Sequence, residues 1–340
     1  MTLERVDCPK CGSAEQSVIA EGQDFLYGVP GTFFAAQCSQ CGFWFQSPRP
    51  RVEDLQSLYT DDYIPHERED HARPRSAGEL EYLRRALGYT HLPSQPTHVR
   101  ALVALARPWF RWLAGVRLEP RFVANGRLLE IGCGSGGRLS ALRSCGWRDL
   151  SGIELVPAAA ERARAKGFNV VCARVEEALQ SFADESFDVV IAEMVMEHLL
   201  DPFAVIDAVA RVLRPGGEFL FSTIVRDSPD VALYGRYWAG FDFPRHMVYA
   251  RKSDLAAAMS GAFEGLQAFH QVAPVDYVRS SSWRRRSGEG RAFDALMVGL
   301  GTSKAHKAMH VPLAFAKKTC RVSFRSEKRK RPSSFPEGLS

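Results

Sequence analysis

Residues 128–137 read Leu-Leu-Glu-Ile-Gly-Cys-Gly-Ser-Gly-Gly. An apolar run reaches an acid and then gives way to glycines, which predicts a buried strand over 127–131 and a helix opening at Gly136. Glycines at 132, 134 and 136 let the chain turn tightly with no side chain in the way. A ligand can therefore lie against the backbone, beside the partly positive start of the next helix. Glu130 stands two residues before the first glycine, so its carboxylate points into the same crevice. A carboxylate there suits a ligand carrying an ammonium or hydroxyls better than one carrying a pyrophosphate. The same stretch also fits a dinucleotide fingerprint through Gly132, Gly134 and Gly137, with Glu154 twenty residues after Gly134.

The downstream sequence separates the two readings. Residues 187–193, Phe-Asp-Val-Val-Ile-Ala-Glu, form a second apolar strand ending in an acid. Met-Val-Met-Glu-His follows to residue 198, and Asp201-Pro202 is a helix start with proline at the first helical position. That helix carries Val205, Ile206, Val209, Val212 and Leu213 on one face and stops at Arg-Pro-Gly-Gly, residues 214–217. A strand over 218–224 comes next.

This succession resembles the class I S-adenosylmethionine-dependent methyltransferases, most nearly the bacterial branch acting on small molecules and quinones. The resemblance covers about residues 98–326. It implies a doubly wound α/β sheet of seven mostly parallel strands, the last antiparallel. It also implies S-adenosylmethionine as cofactor. Glu130 would face the methionine ammonium, with Gly132, Gly134 and Gly136 leaving room. Glu154 would accept the ribose hydroxyls, and Glu193, at the carboxyl end of its strand, would fall beside the bound cofactor. Many relatives place an acid after the third strand, where adenine is held. Here Cys172-Ala-Arg-Val175-Glu stands instead, which leaves the backbone and Val175 for that contact.

Ahead of this core lie two Cys-x-x-Cys pairs, Cys8 with Cys11 and Cys38 with Cys41, each followed by glycine. Four thiolates so spaced converge on one tetrahedral ion, so residues 1–48 are expected to form a zinc ribbon holding one structural Zn2+. So small a unit cannot bury enough apolar surface alone, and the metal would supply folding free energy. Residues 49–97 read as a linker or lid with helical pieces. A helix over 98–113 places Leu102, Leu105, Ala106, Trp109 and Leu113 on one face, ready to pack beside the core.

Composition sets outer bounds. The 340 residues are 46% hydrophobic and 24% charged, as in ordinary globular proteins. No apolar run is long enough for a membrane span, and no basic-then-apolar leader is visible, so the cytoplasm is the expected location. The net charge of +5 is uneven: residues 279–331 hold fifteen Lys/Arg against three Asp/Glu. Residues 327–340 read as a basic tail.

His198 is the expected general base, because it follows the fourth strand and imidazole titrates near neutrality. The loop over 234–246 is dense in aromatics. Trp238, Phe241, Phe243 and Arg245 are expected to line the acceptor pocket, with His246 as a second catalytic candidate. The expected acceptor is a small or carrier-linked metabolite, methylated at O, N or C. RNA is the alternative partner, on the strength of the ribbon and the basic segment. A non-catalytic scaffold is the third reading.

Overall fold

The structure, a computed structural model, describes residues 1–59, 75–113, 118–271, 274–302 and 321–329. Residues 1–59 hold β1 (Leu3–Glu4), β2 (Gln16–Gly22), β3 (Phe33–Cys38), β4 (Trp44–Gln46) and β5 (Arg49–Pro50). The core follows with β6 (Arg127–Ile131), β7 (Asp149–Glu154), β8 (Asn169–Cys172), β9 (Phe187–Glu193) and β10 (Leu213–Ile224). Then come β11 (Val248–Tyr249), β12 (Phe263–Gln271) and β13 (Arg321–Lys328).

Seven strands form the main sheet in the order β12-β13-β10-β9-β6-β7-β8. The pairs β10–β9, β9–β6, β6–β7 and β7–β8 are parallel, while β13 runs antiparallel to both its neighbours. This is the expected class I methyltransferase sheet. Alternation along the strands explains its two covered faces. Leu129, Ile131, Val190 and Ala192 pack with Val205, Ile206 and Val209 of the helix Pro202–Val212. Leu128, Val189 and Ile191 pack with Leu139, Leu142, Ala160, Ala163 and Phe168 on the other side. The Asp201 carboxylate caps the 202–212 helix by accepting from the N–H groups of Phe203 and Ala204, both at 3.0 Å. Chain order reverses beside β6, which has β7 on one side and β9 on the other, so the crevice opens at the ends of β6 and β9.

A second sheet joins distant parts of the chain. Its order is β11-β4-β3-β2, so Val248 and Tyr249 pair with Phe45 and Trp44 of the N-terminal unit. The cysteine unit is therefore bonded to the loop that follows β10. Cys8, Cys38 and Phe43 also share one apolar cluster with Leu129 and Ile131 of the main sheet.

Two expectations are corrected. The helix Thr97–Leu113 forms and packs on the helix Ala77–Ala86, but Leu102 and Leu105 are 64% and 82% exposed while Val103 is buried. Periodicity marks an apolar stripe, and Leu102 and Leu105 of that stripe stay exposed. The basic run 284–286 is not all solvated. Arg284 is buried, with Nε and Nη2 donating to the Asp294 carboxylate at 2.8 and 2.5 Å. The expected linker residues 60–74 and most of the basic tail, 330–340, lie outside the described residues.

Candidate active site

The glycine turn after β6 is built on positive-φ backbone, with φ of +71° at Gly132 and +80° at Gly136. A Cβ on Gly132 would stand 2.7 Å from Val195 Cγ2, and one on Gly136 would meet the Phe168 ring at 3.0 Å. Larger residues would be both strained and obstructed there. The same contact shows that the turn after β9 lies directly against the glycine turn.

Glu154, at the end of β7, is buried and braces the cradle. Its Oε2 accepts from the Gly134 N–H and its Oε1 from the Val156 N–H, both at 2.8 Å. A carboxylate oxygen can accept two hydrogen bonds, the chemistry that a pair of ribose hydroxyls calls for. Glu130 is also buried, and its Oε1 lies 3.0 Å from Arg138 Nε. Arg138 pairs with Glu193 as well, and its Nη1 donates to the Leu118 carbonyl at 3.1 Å. A guanidinium thus spans Glu130, the acid expected at a donor's ammonium, and Glu193, the second acid expected at the cofactor. Sequence reasoning missed Arg138. Its position directly after the glycines was the available signal. Val175 opens the helix Val175–Gln180 and is half-buried. Two carboxylates over a side-chain-free turn fit a ligand with one cationic group and a diol.

The second half of the site begins at the turn Met196–His198. His198 and His246 meet edge to face, with ring centroids 4.6 Å apart. His198 Nδ1 lies 3.1 Å from the Arg245 carbonyl and 3.0 Å from the Tyr59 hydroxyl. A carbonyl can only accept, so we assign the His198 proton to Nδ1 and a lone pair to Nε2. The same logic holds for His246, whose Nδ1 lies 2.8 Å from the Gly240 carbonyl. Burial, with His246 beside it, pushes His198 down to about 3, so its imidazole is neutral at physiological pH. The Thr223 hydroxyl donates to Glu197 Oε2 at 2.8 Å, fixing a buried carboxylate next to the pair.

The loop residues expected to line a pocket have another occupation. Trp238, Phe241, Phe243 and Arg245 are 0%, 4%, 4% and 0% exposed, packed against Phe33 and Ala35 of β3 and Tyr249 of β11. Trp238 Nε1 donates to Asp230 Oδ2 at 2.7 Å. Arg245 points its fork at Asp24, with Nη1 and Nη2 both donating at 2.8 Å, and also donates to Asp242 at 2.7 and 3.1 Å. A guanidinium already shared by two carboxylates is a clamp between the N-terminal unit and the loop, which corrects its expected role as a polar anchor for substrate. The structure brings His198 and His246 together but turns the aromatics into a core that holds them.

The four cysteines converge. Cys8 Sγ is 3.6 Å from Cys41 Sγ, and Cys11 Sγ is 3.6 Å from Cys38 Sγ. These separations suit thiolates around a tetrahedral ion with bonds of about 2.3 Å. Burial raises the Cys38 thiol, but the N–H groups of Cys41 and Gln40 outweigh it and bring it down to about 6. Lys10 pairs with Asp254 at 2.5 Å, and Arg226 stacks on Trp44 at 4.4 Å while donating to the Gly42 carbonyl. The knuckles are thereby held on the core.

A family profile described as "Methyltransferase domain" matches residues 104–266. The ubiquinone biosynthesis O-methyltransferase of Xanthomonas axonopodis pv. citri is 34% identical over 206 residues, 57% of this chain and 80% of that protein. The protein of the same name from Xanthomonas oryzae pv. oryzae is 36% identical over 117 residues, 33% of this chain, which thus spans 48% of that relative's length. A methyltransferase structure from Thermotoga maritima, titled a possible histamine N-methyltransferase, superposes at a TM-score of 0.42 with 19% identity. It covers 67% of this chain and 97% of its own.

Proposed function

The chain belongs to the S-adenosylmethionine-dependent methyltransferases of class I, and from that premise we propose that it methylates a hydroxyl of a small or carrier-linked metabolite. Oxygen is favoured among O, N and C acceptors because the relatives above are named O-methyltransferases. The observation that carries the reading is the junction at Val195. There the glycine cradle touches the turn that bears His198, which supports a single crevice for donor and acceptor.

When bound, S-adenosylmethionine supplies an already activated methyl group, and the protein's task is to place a nucleophile close to it and in line. Glu130, Gly132, Gly134 and Gly136 receive the methionine end. Arg138, which holds Glu130 and Glu193, would give up Glu130 to the donor's ammonium, one cation for another. Glu154 would take the ribose hydroxyls, and Val175, opening its helix, would stand beside adenine. His198, with its Nε2 lone pair oriented by the Arg245 carbonyl, would receive the acceptor's hydroxyl proton, a transfer that the burial holding the imidazole neutral opposes. His246 stands next to it, with its Nε2 3.7 Å from Asp242 Oδ2.

Glu154→Ala is expected to weaken donor binding by about 1.5–3 kcal/mol, the worth of hydrogen bonds to a charged group. Titration calorimetry checks this, and unchanged affinity would place the ribose elsewhere. The cysteine cluster is proposed to hold one structural zinc. Cys8→Ser protein should then carry one zinc fewer per chain than wild type by elemental analysis. Equal zinc in the two would remove the metal from this site. RNA is the weaker partner, because Arg284, in one of the two dense basic runs, is spent on Asp294. Among the described residues no helix is long and apolar enough to cross a membrane.

A further inference from the structure

Glu197, His198 and His246 come together in a way that base catalysis alone does not require. One ligand-capable atom from each lies within 4.8 Å of the others. They come from two separate parts of the chain, the turn after β9 and the loop after β10. In both imidazoles Nδ1 is engaged by a backbone carbonyl, Arg245 for His198 and Gly240 for His246. This is the outer-shell arrangement that fixes a metal-binding histidine, since it leaves the Nε2 lone pair free to coordinate. The third member is a buried carboxylate whose Oε2 is held by the Thr223 hydroxyl. Ligating carboxylates are commonly steadied in the same manner.

We propose that Glu197, His198 Nε2 and His246 Nε2 form a second metal site, for a divalent cation of the zinc class, with the acceptor oxygen as a further ligand. This goes beyond the reading above but rests on its placement of the acceptor at the histidine pair. Two imidazoles and one carboxylate are a ligand set that zinc accepts in catalytic sites, where a fourth position stays open. Nitrogen with oxygen donors also favours such a cation over magnesium or calcium, which prefer oxygen alone. Bonds of about 2.0–2.2 Å require donor atoms that now lie within 4.8 Å of one another to close inward.

A bound cation changes the role of the imidazoles. They become ligands, and the acceptor O–H bond breaks at the ion, which lowers the hydroxyl pKa and keeps the oxygen's electron pair. The proton leaves to water. That oxygen then forms its bond to the donor's methyl carbon as the carbon–sulfur bond breaks. The sulfonium leaves as a neutral thioether, so no oxidant or reductant is needed. The clamp formed by Asp24, Arg245 and Asp242 fits this assignment. It anchors the loop segment that carries both His246 and the carbonyl facing His198.

The test is zinc stoichiometry on the full chain after equilibration with zinc and removal of excess. Wild type should hold two ions per chain. His246→Gln and Glu197→Gln should each hold one, as should Cys8→Ser, while the exposed His98→Gln should keep two. Two variants at the new site guard against one that fails to fold, and calorimetric donor binding reports that each is folded. One ion in wild type, unchanged by His246→Gln and Glu197→Gln, would overturn the proposal. In that case the methyl-transfer reading would still stand or fall on turnover, because stoichiometry is read without any acceptor.

Discussion

Replacing His198 with alanine is expected to cut turnover about 10²–10⁴-fold while donor affinity stays near wild type. His198 closes the turn after β9, and the Arg245 carbonyl and the Tyr59 hydroxyl approach its Nδ1. The backbone of that turn is held independently, since the Met247 N–H donates to the Glu197 carbonyl at 2.8 Å and the His198 N–H to the Val195 carbonyl at 2.9 Å. Loss of the imidazole should therefore leave the glycine cradle intact. Steady-state rates with a labelled donor, set beside calorimetry, separate the two effects. A loss below tenfold would make His198 a packing residue and leave an acceptor that needs no help in losing a proton.

Asp24→Ala should destabilise the fold by about 3–5 kcal/mol, the cost of breaking a buried, hydrogen-bonded ion pair from one side. Both side chains of the Asp24–Arg245 pair are fully buried. The Asp24 carboxylate also accepts from the N–H groups of Leu26, Tyr27 and Val29 at 2.9–3.2 Å. Burial alone would raise this carboxyl, but Arg245 and the backbone donors together hold it below the ordinary aspartate value. A group depressed in the folded state stabilises above its unfolded pKa, and the contribution fades as pH falls through the folded one. Denaturant unfolding at neutral pH should show the full loss. The gap between variant and wild type should narrow only below about pH 4. A difference under 1 kcal/mol at neutral pH would mean that Asp242 alone satisfies Arg245.

The main sheet could be read from the chain because its signals are local. Leu128 to Ile131 must be buried, Gly132 and Gly136 must take positive φ, and Asp201-Pro202 must start a helix. The acceptor side could not be read in that way. β11 is only two residues long, and its partner β4 lies some two hundred residues earlier, so no periodicity announces their pairing. Arg245 and Asp24 are separated by 221 positions. From the sequence, an Arg-His pair among aromatics reads equally well as a pocket or as a clamp, and only the distant aspartate decides. Helix periodicity likewise marks Leu102 and Leu105 as a stripe but does not say which stripe meets a neighbour. Arg138 was hidden for a related reason, since its role depends on Glu130 and Glu193 closing on it from two strands.

The most direct test supplies methyl-labelled S-adenosylmethionine and the purified protein to separated metabolite and RNA fractions of a cell extract. Label should enter the small-molecule fraction with wild-type protein and fall at least about a hundredfold with His198→Ala. Label confined to RNA, or label in the metabolite fraction that is indifferent to His198, would contradict the assignment of the acceptor to the His198–His246 crevice.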